Sequence, residues 1–100
     1  MIDRRRIEGF EWDQGNTRKN EKHGVTQAEA EQIFVNEPLL LLLDDEHGYS
    51  ERRFHALGRT NEGRLLHVSF TLRGKGTRIR IISARAMHRK ERSIYGQEKS

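Results

Sequence analysis

The sequence predicts a small α+β domain, and three observations lead to that fold class. Segments in the middle of the chain have the composition of β-strands, and short turns join the later ones, which requires antiparallel pairing. Other segments have the composition of helices, and they lie before and after this run of strands. The length of 100 residues fits one domain. We therefore expect an antiparallel sheet of about four to five strands with two N-terminal helices and one C-terminal helix, packed mainly on one face.

Composition restricts what this domain can be. We expect a single domain over residues 1–100, with residues 1–8 and 97–100 as loose tails. Hydrophobic residues make up 33% of the chain and charged residues 34%, so nearly all large apolar side chains are needed in the core. The absence of cysteine excludes disulfides, a thiolate nucleophile and a cysteine zinc site, and it fits a reducing cytoplasm. We expect no cofactor.

No segment of the sequence is typical of a membrane span or of a signal peptide. The longest apolar run, Leu39 to Leu43, is too short to cross a bilayer. The basic residues near position 5 are not followed by an apolar stretch. We therefore expect a cytoplasmic protein without membrane contact.

The N-terminal third of the chain predicts one short strand and two helices. Residues 10–13 alternate between apolar and polar and indicate a brief edge strand, and Thr17 to His23 fits a short helix. Thr26 and Glu29 have the spacing of a capping box, in which each residue bonds the other's backbone amide. Pro38 requires this second helix to end by the residue before it.

The rest of the chain predicts four strands and a final helix. The run Leu39 to Leu43 fits a buried strand or part of a helix, and its length favours a strand. In Arg64 to Arg73, every second residue from Leu66 onward is apolar, so the alternate positions, among them His67, form a polar face. The remaining segments are Arg52 to Thr60 as a strand of mixed periodicity, Thr77 to Ser83 as the last strand, and Ala86 to Gln97 as a helix.

Charge is distributed very unevenly along the chain. Residues 1–50 carry 6 Lys and Arg against 11 Asp and Glu, whereas residues 51–100 carry 13 against 4. A half that is this basic, and mostly through arginine, is a candidate surface for a polyanion such as nucleic acid. The structural alternative is a solvated surface that charge keeps soluble.

Several residues of the basic half suit the cleavage of RNA. That reaction needs no metal, because the 2′-hydroxyl is already beside the phosphate; it needs proton transfer and stabilisation of negative charge. Arg78 and Arg80 lie on one face of the last strand, roughly 7 Å apart, about one phosphate spacing. Arg85 follows at the entry to the last helix, where a cation requires an anionic partner: Glu11, Glu51 or a phosphate.

The candidates for proton transfer have structural explanations as well. Lys22 and His23 lie at the end of the predicted first helix, where cations are favoured in any case. Tyr95 could act as a general acid, but an aromatic residue that docks the last helix on the sheet is the better interpretation. The other histidines lack ligand spacing, so we expect no metal site, and a lone histidine on a strand is more often a packing residue. These other histidines are His47, His55, His67 and His88.

Three blocks of sequence, in order over residues 10–95, resemble the BrnT family of ribonuclease toxins. The first block is FEWD at residues 10–13, followed by KN at 19–20 and KHGV at 22–25. The second is ERR at 51–53 with LGRT at 57–60. The third is RIRIISAR at 78–85, continuing to KER at 90–92 and to Tyr95.

The resemblance implies a RelE-like fold and an endoribonuclease toxin of a type II toxin–antitoxin system. It also implies neutralisation by a BrnA-type antitoxin with a ribbon-helix-helix part, through which the complex contacts operator DNA, and it is compatible with a toxin homodimer inside that complex. The residues it implies for catalysis are Lys22, His23, Arg52, Arg80 and Arg85, of which Arg80 and Arg85 hold the scissile phosphate while His23 or Lys22 transfers protons. We expect further RNA phosphates to contact Arg73, Arg78, Arg89 and Arg92.

Two other classes of function fit the same basic surface. One is a non-catalytic module that binds RNA or DNA, which would need the arginines but not a proton-transfer residue such as His23, and which would more often expose aromatic residues for base stacking. The other is an inactive protein whose basic surface attracts an acidic antitoxin segment. Few of the 7 aromatic residues can be spared for stacking, which favours the enzyme.

Overall fold

A computed structural model describes residues 6–12, 23–44 and 53–99 of the chain. Within these ranges, seven elements form one α+β unit. In chain order they are strand β1 (Gly9–Glu11), helix α1 (Gln27–Gln32), strands β2 (Leu40–Asp44), β3 (Arg53–Arg59), β4 (Leu65–Arg73) and β5 (Arg78–Ala86), and helix α2 (Arg89–Lys99).

The five strands form one mixed sheet in the order β1-β5-β4-β3-β2. The pairs from β2 to β5 are antiparallel, but β1 runs parallel to β5. The prediction of an antiparallel sheet is therefore wrong at this edge. No tight turn fixes the direction of β1, because its partner lies at the far end of the chain, and nothing local in the sequence records such a pairing.

The predicted set of three helices is also wrong. The described residues contain two helices, the short α1 of 6 residues and α2 of 11 residues. Most of the helix predicted over Thr17 to His23 lies outside the described residues, and its described end at His23 and Gly24 is a turn. None of the described helices is long and apolar enough to cross a membrane.

Helix α1 begins as its sequence predicts. The Glu29 amide donates to Thr26 Oγ1 at 3.1 Å, and the Thr26 amide donates to Glu29 Oε1 at 3.1 Å, which completes the capping box. Val25 and Ala30 are both buried. The helix ends at Gln32 and a turn follows, before the limit that Pro38 sets.

The first face of the sheet, defined as the face that α1 covers, carries the larger hydrophobic core. Phe70 is fully buried there, stacked on Phe54 at 5.4 Å between ring centroids and edge-on to Phe34 at 5.1 Å. Gly58 permits the close approach of α1, because a Cβ at this position would lie 2.8 Å from Ile33 Cβ. The buried members of this core are Val25, Ala30, Ile33, Phe34, Ala56, Leu66, Val68, Phe70, Ile79, Ile81 and Ala84.

The second face, on the opposite side of the sheet, carries α2. Leu57, Met87 and Tyr95 form a small buried cluster there, and the Tyr95 hydroxyl donates to the Pro38 carbonyl at 2.6 Å. The prediction that the helices pack mainly on one face is therefore wrong. Ala56 and Leu57 are neighbours on β3 and both are buried, which explains the mixed periodicity of this strand: it is covered on both sides.

Strand β4 has the predicted alternation, but its polar residues are buried too. Leu66, Val68 and Phe70 are fully buried on the first face. His67, at 7% exposure, lies on the second face together with Ser69 and Thr71, which are similarly buried. The second face therefore combines polar side chains with burial, a combination that requires partners for the polar atoms.

Candidate active site on the second face

Three rows of side chains cross the second face from β3 through β4 to β5. Cross-strand register defines them, and we name them by their content. The helix row lies nearest to α2 and contains Leu57, His67 and Arg85. The histidine row contains His55, Ser69 and Ser83, and the arginine row contains Arg53, Thr71 and Arg80.

A bulge in β5 places Arg80 and Arg85 on the same face. Their separation of five residues would put them on opposite faces of a regular strand. Ser69 pairs with Ser83 but the next residue of β4, Phe70, pairs with Ile81, so one residue of β5 is extra. The extra residue reverses the alternation after Ile81 and brings Arg85 to the second face.

Glu91 connects α2 to the helix row. Its carboxylate accepts two hydrogen bonds from Arg85, at 2.8 Å from Nη1 and 3.0 Å from Nη2. It also accepts a hydrogen bond from the His88 amide at 2.8 Å, at the start of α2. Burial opposes the charge, but the hydrogen bonds from Arg85 and His88 outweigh it and lower the pKa of Glu91 to about 2. The expected anionic partner of Arg85, for which we named Glu11, Glu51 or a phosphate, is therefore Glu91.

Two histidines meet between the helix row and the histidine row. His55 Nδ1 lies 3.0 Å from His67 Nε2 and 3.2 Å from Ser69 Oγ, so both neighbours are within hydrogen-bonding distance of one nitrogen. The ring centroids are 4.9 Å apart. Residues in diagonal positions on adjacent antiparallel strands can reach each other in this way.

His67 is neutral at physiological pH. Burial lowers its pKa to about 4, and the positive charge of Arg85 acts in the same direction, against the opposing charge of Glu91. Glu91 Oε2 lies 3.9 Å from His67 Nε2, which makes an ion pair only when the ring is protonated. His67 Nδ1 is buried without a hydrogen-bond partner in the structure.

The arginine row contains a second buried polar atom without a partner, Thr71 Oγ1. Thr71 is 6% exposed and lies in register between Arg53 and Arg80, which are both half-buried. On the side of Arg80 away from Thr71, Glu11 of β1 is in register with Arg80. The Glu11 carboxylate forms an ion pair with Arg78 Nε at 3.3 Å. A phosphate oxygen can reach this buried hydroxyl only when a flanking side chain moves aside, whereas the two half-buried guanidinium groups can bind a phosphate and balance its charge.

The structure brings some of the predicted site residues together. Arg80 and Arg85 share the second face, and Arg73 and Arg78 are paired in register just beyond the arginine row. Arg89 and Arg92 lie on α2 and are exposed, with Arg92 Nη1 donating to the Met87 carbonyl at 3.0 Å.

His23, one of the predicted proton-transfer residues, is not placed with this group. His23 is exposed in the turn before α1, next to Gly24, whose carbonyl accepts a hydrogen bond from Arg64 at 2.6 Å. Arg64 also pairs with Glu29 of α1, on the side of the first face. Lys22 and Arg52, together with Glu51, lie outside the described residues.

Sequence reasoning missed the residues between the arginines. His55 and His67 are twelve positions apart, and only the register of the β3–β4 hairpin makes them neighbours. Arg53, which is not among the predicted site residues, shares the second face with His55, because residues two apart on a strand lie on one face. Within the described ranges, no group of three or more His, Asp or Glu side chains is placed to hold a metal ion.

Comparisons with known proteins agree with this architecture. The family model described as "Ribonuclease toxin, BrnT, of type II toxin-antitoxin system" matches residues 12–91. The crystal structure of the Brucella abortus ribonuclease toxin BrnT superposes with a TM-score of 0.60 at 21% identity, over 81% of this chain and 97% of that one. No curated protein matches the chain. Because the family model covers most of its length, the chain belongs to the BrnT family of ribonuclease toxins of type II toxin–antitoxin systems.

Proposed function

We propose that this protein is a metal-independent endoribonuclease that cleaves RNA on the second face of its sheet. In this reaction the 2′-oxygen of the substrate attacks the adjacent phosphorus, and the bond to the 5′-oxygen breaks. The protein has to move two protons and stabilise the extra negative charge on the phosphate. The observation that carries the proposal is the arginine row, which places the half-buried Arg53 and Arg80 on either side of Thr71 on one face of the sheet.

The arginines have different roles in this proposal. Arg80 binds the scissile phosphate, since it flanks Thr71 directly. Arg85 contributes less charge, because Glu91 already accepts two hydrogen bonds from it, and it stabilises the site mainly by fixing α2. Arg73 and Arg78 extend the positive surface along the RNA backbone, and Arg89 and Arg92 do so on α2. Lys22, His23 and Arg52 remain proposed catalytic residues.

The antitoxin partner follows from the type II family, and its identity is part of the proposal. We propose a BrnA-type antitoxin with a ribbon-helix-helix part that contacts operator DNA, while the toxin subunits, two in each complex, contact DNA only through it. A basic toxin surface favours an acidic antitoxin segment and fast association. The cytoplasm, where the RNA substrate and the antitoxin are made, is the expected site of action.

Cleavage of a labelled single-stranded RNA in the presence of EDTA tests the proposal. We expect the wild-type protein to cut and Arg80→Ala to lose at least about 100-fold in rate, because a charge that stabilises the transition state is removed. Lys90→Ala is the matched control, since it removes an exposed cation on α2 and should cut at the wild-type rate. A wild-type protein that binds RNA with a steep salt dependence but never cuts it is a binding module instead.

A further inference from the structure

The two histidines of the second face have no role in the proposed function so far. A histidine that only packs on a sheet needs no specific hydrogen bond to its ring. His55, in contrast, presents Nδ1 to both His67 Nε2 and Ser69 Oγ, at 3.0 and 3.2 Å. Two contacts at one ring nitrogen fix the plane of the imidazole, so that the opposite nitrogen, Nε2, keeps a defined direction.

The contacts of the pair provide acceptors for a proton that His55 takes up during the reaction. Two rings joined through Nδ1 and Nε2 share one hydrogen bond, so only one of them can be protonated without placing two donors against each other. His67 resists protonation because it is buried near Arg85, which leaves its pKa at about 4. His55 is only half-buried. When His55 takes up a proton, the neutral His67 Nε2 and Ser69 Oγ are the acceptors for its Nδ1–H.

We propose that His55 is a catalytic proton-transfer residue for RNA cleavage, and that His67 is the positioning residue that holds its ring through the 3.0 Å contact. The inference rests on the proposed ribonuclease function. It also depends on the arrangement of the rows, because His55 precedes the arginine row by two residues on β3, about 7 Å along the strand. A phosphate bound at the arginine row therefore lies one row away from His55 on the same face of the sheet.

The proposed step conserves atoms and charge. His55 Nε2 takes the proton of the 2′-hydroxyl while the bond from the 2′-oxygen to phosphorus forms. The bond from phosphorus to the 5′-oxygen breaks, and the 5′-oxygen takes a proton from water. The products are an RNA end with a 2′,3′-cyclic phosphate and an RNA end with a 5′-hydroxyl. His55 then returns its proton to solvent, so the protein is unchanged after the turnover.

Charged and titratable groups surround the pair on several elements. Arg53 lies on the same strand as His55, His67 on β4, Arg85 on β5 and Glu91 on α2. Strand β2 presents an apolar residue in register with His55, Leu42. Arg85 and Glu91 pair with each other through two hydrogen bonds, and Asp44 of β2 is in register with Arg53.

The experiment compares pH–rate profiles of cleavage for five proteins: the wild type, two variants of His55 and His88, and two variants of His67. His55→Asn keeps a nitrogen or oxygen at the position of Nδ1, and with it the contacts to His67 and Ser69, but has no Nε2. We expect kcat to fall about 100- to 10,000-fold, with KM within about threefold of the wild-type value. His88→Gln is the control, because this exposed histidine contributes its backbone amide rather than its ring. Thermal melting checks that each variant is folded.

Substitutions at His67 test the positioning role separately. His67→Phe removes the acceptor for protonated His55, so we expect kcat to fall about tenfold and the acidic limb of the profile to move to lower pH. His67→Gln keeps a polar atom at the position of Nε2 and should restore most of kcat and of the limb. If the role of His67 is purely structural, the acidic limb of the variant's profile stays at the wild-type pH.

The outcomes separate the inference from the function on which it rests. An active wild type and a His55→Asn variant with unchanged kcat overturn the catalytic role of His55 and leave the ribonuclease function standing. If kcat of His67→Phe falls but the acidic limb of its pH–rate profile does not move, the positioning role of His67 alone is overturned. A wild type that does not cut RNA overturns both proposals together.

Discussion

The two faces of the sheet differ in the kind of side chain that they bury. On the first face, Phe70 contacts both Phe34 and Phe54 in a core of buried apolar side chains. On the second face, β4 contributes His67 and Thr71, which are also buried but keep polar atoms without a partner. A buried polar atom without a hydrogen bond costs about 1–3 kcal/mol. The comparison teaches that this protein gives up stability on the face where its chemistry is proposed.

The largest expected effect belongs to the first face. Phe70→Ala removes a fully buried ring that contacts two others, and we expect the free energy of unfolding to fall by about 3–5 kcal/mol. Urea denaturation followed by circular dichroism measures this change. Cleavage activity per folded molecule should stay near the wild-type value wherever the variant is still folded. A loss below about 1 kcal/mol would mean that the aromatic cluster is not the centre of the core.

The second effect tests how the helix is fixed to the second face. Glu91→Ala removes the partner of Arg85 and the acceptor of the His88 amide, and it leaves the Arg85 charge half-buried. We expect a loss of about 2 kcal/mol in the free energy of unfolding, below that of a fully buried ion pair because both side chains are partly exposed. Glu62→Ala, in an exposed turn, is the control. Equal stability of the two variants would contradict the role of Glu91 in docking α2.

The third effect is the pH dependence of the free energy of unfolding that His67 and Glu91 on the second face cause. The folded protein disfavours protonated His67, whose pKa is about 4 against 6.5 for the unfolded chain. Between these values the unfolded state binds more protons, so stability is present above pH 6.5 and falls as the pH drops through this window. Glu91 adds a further loss between its unfolded pKa of 4.5 and about 2.

His67→Phe isolates the first of these two windows. At pH 7 the variant loses the contact to His55 together with a partnerless nitrogen, so its free energy of unfolding should stay within about 1 kcal/mol of the wild-type value. From pH 6.5 to 4 the wild type should lose on the order of 2 kcal/mol more than the variant. Urea denaturation at several pH values measures the difference. Parallel pH profiles for both proteins would show that His67 does not titrate with folding.

The same contrast explains how far the sequence could predict the structure. The capping box of Thr26 and Glu29 and the alternation in β4 are local patterns, and both predictions are confirmed. The parallel pairing of β1, the placement of α2 on the opposite face and the bulge near Ile81 depend on contacts between distant segments. A regular strand would separate Arg80 from Arg85, so only the structure shows that these two arginines share a face.

The candidate site was predictable in residue type more than in arrangement. The basic C-terminal half and the resemblance to BrnT toxins both led to Arg80 and Arg85. A histidine met singly along the sequence fits a packing role, and His55 and His67 become a pair only when β3 and β4 are aligned. The membership in the ribonuclease family does not assign the proton-transfer residue, so the rate profiles of His55 and His67 variants have to do so.

Substitution of Thr71 should change the free energy of unfolding least and still change the rate of RNA cleavage. Thr71→Val replaces the partnerless hydroxyl by a methyl group of similar shape, so the free energy of unfolding should stay within about 1 kcal/mol of the wild-type value or rise. If RNA binding uncovers this hydroxyl for a phosphate oxygen, the loss of a hydrogen bond to a charged group should slow RNA cleavage by about 10-fold or more. Thr77→Val, in the β4–β5 turn and away from the arginine row, is the control for hydroxyl loss. A Thr71→Val variant that is more stable and fully active would break the comparison between the two faces, because the hydroxyl would then serve neither folding nor cleavage.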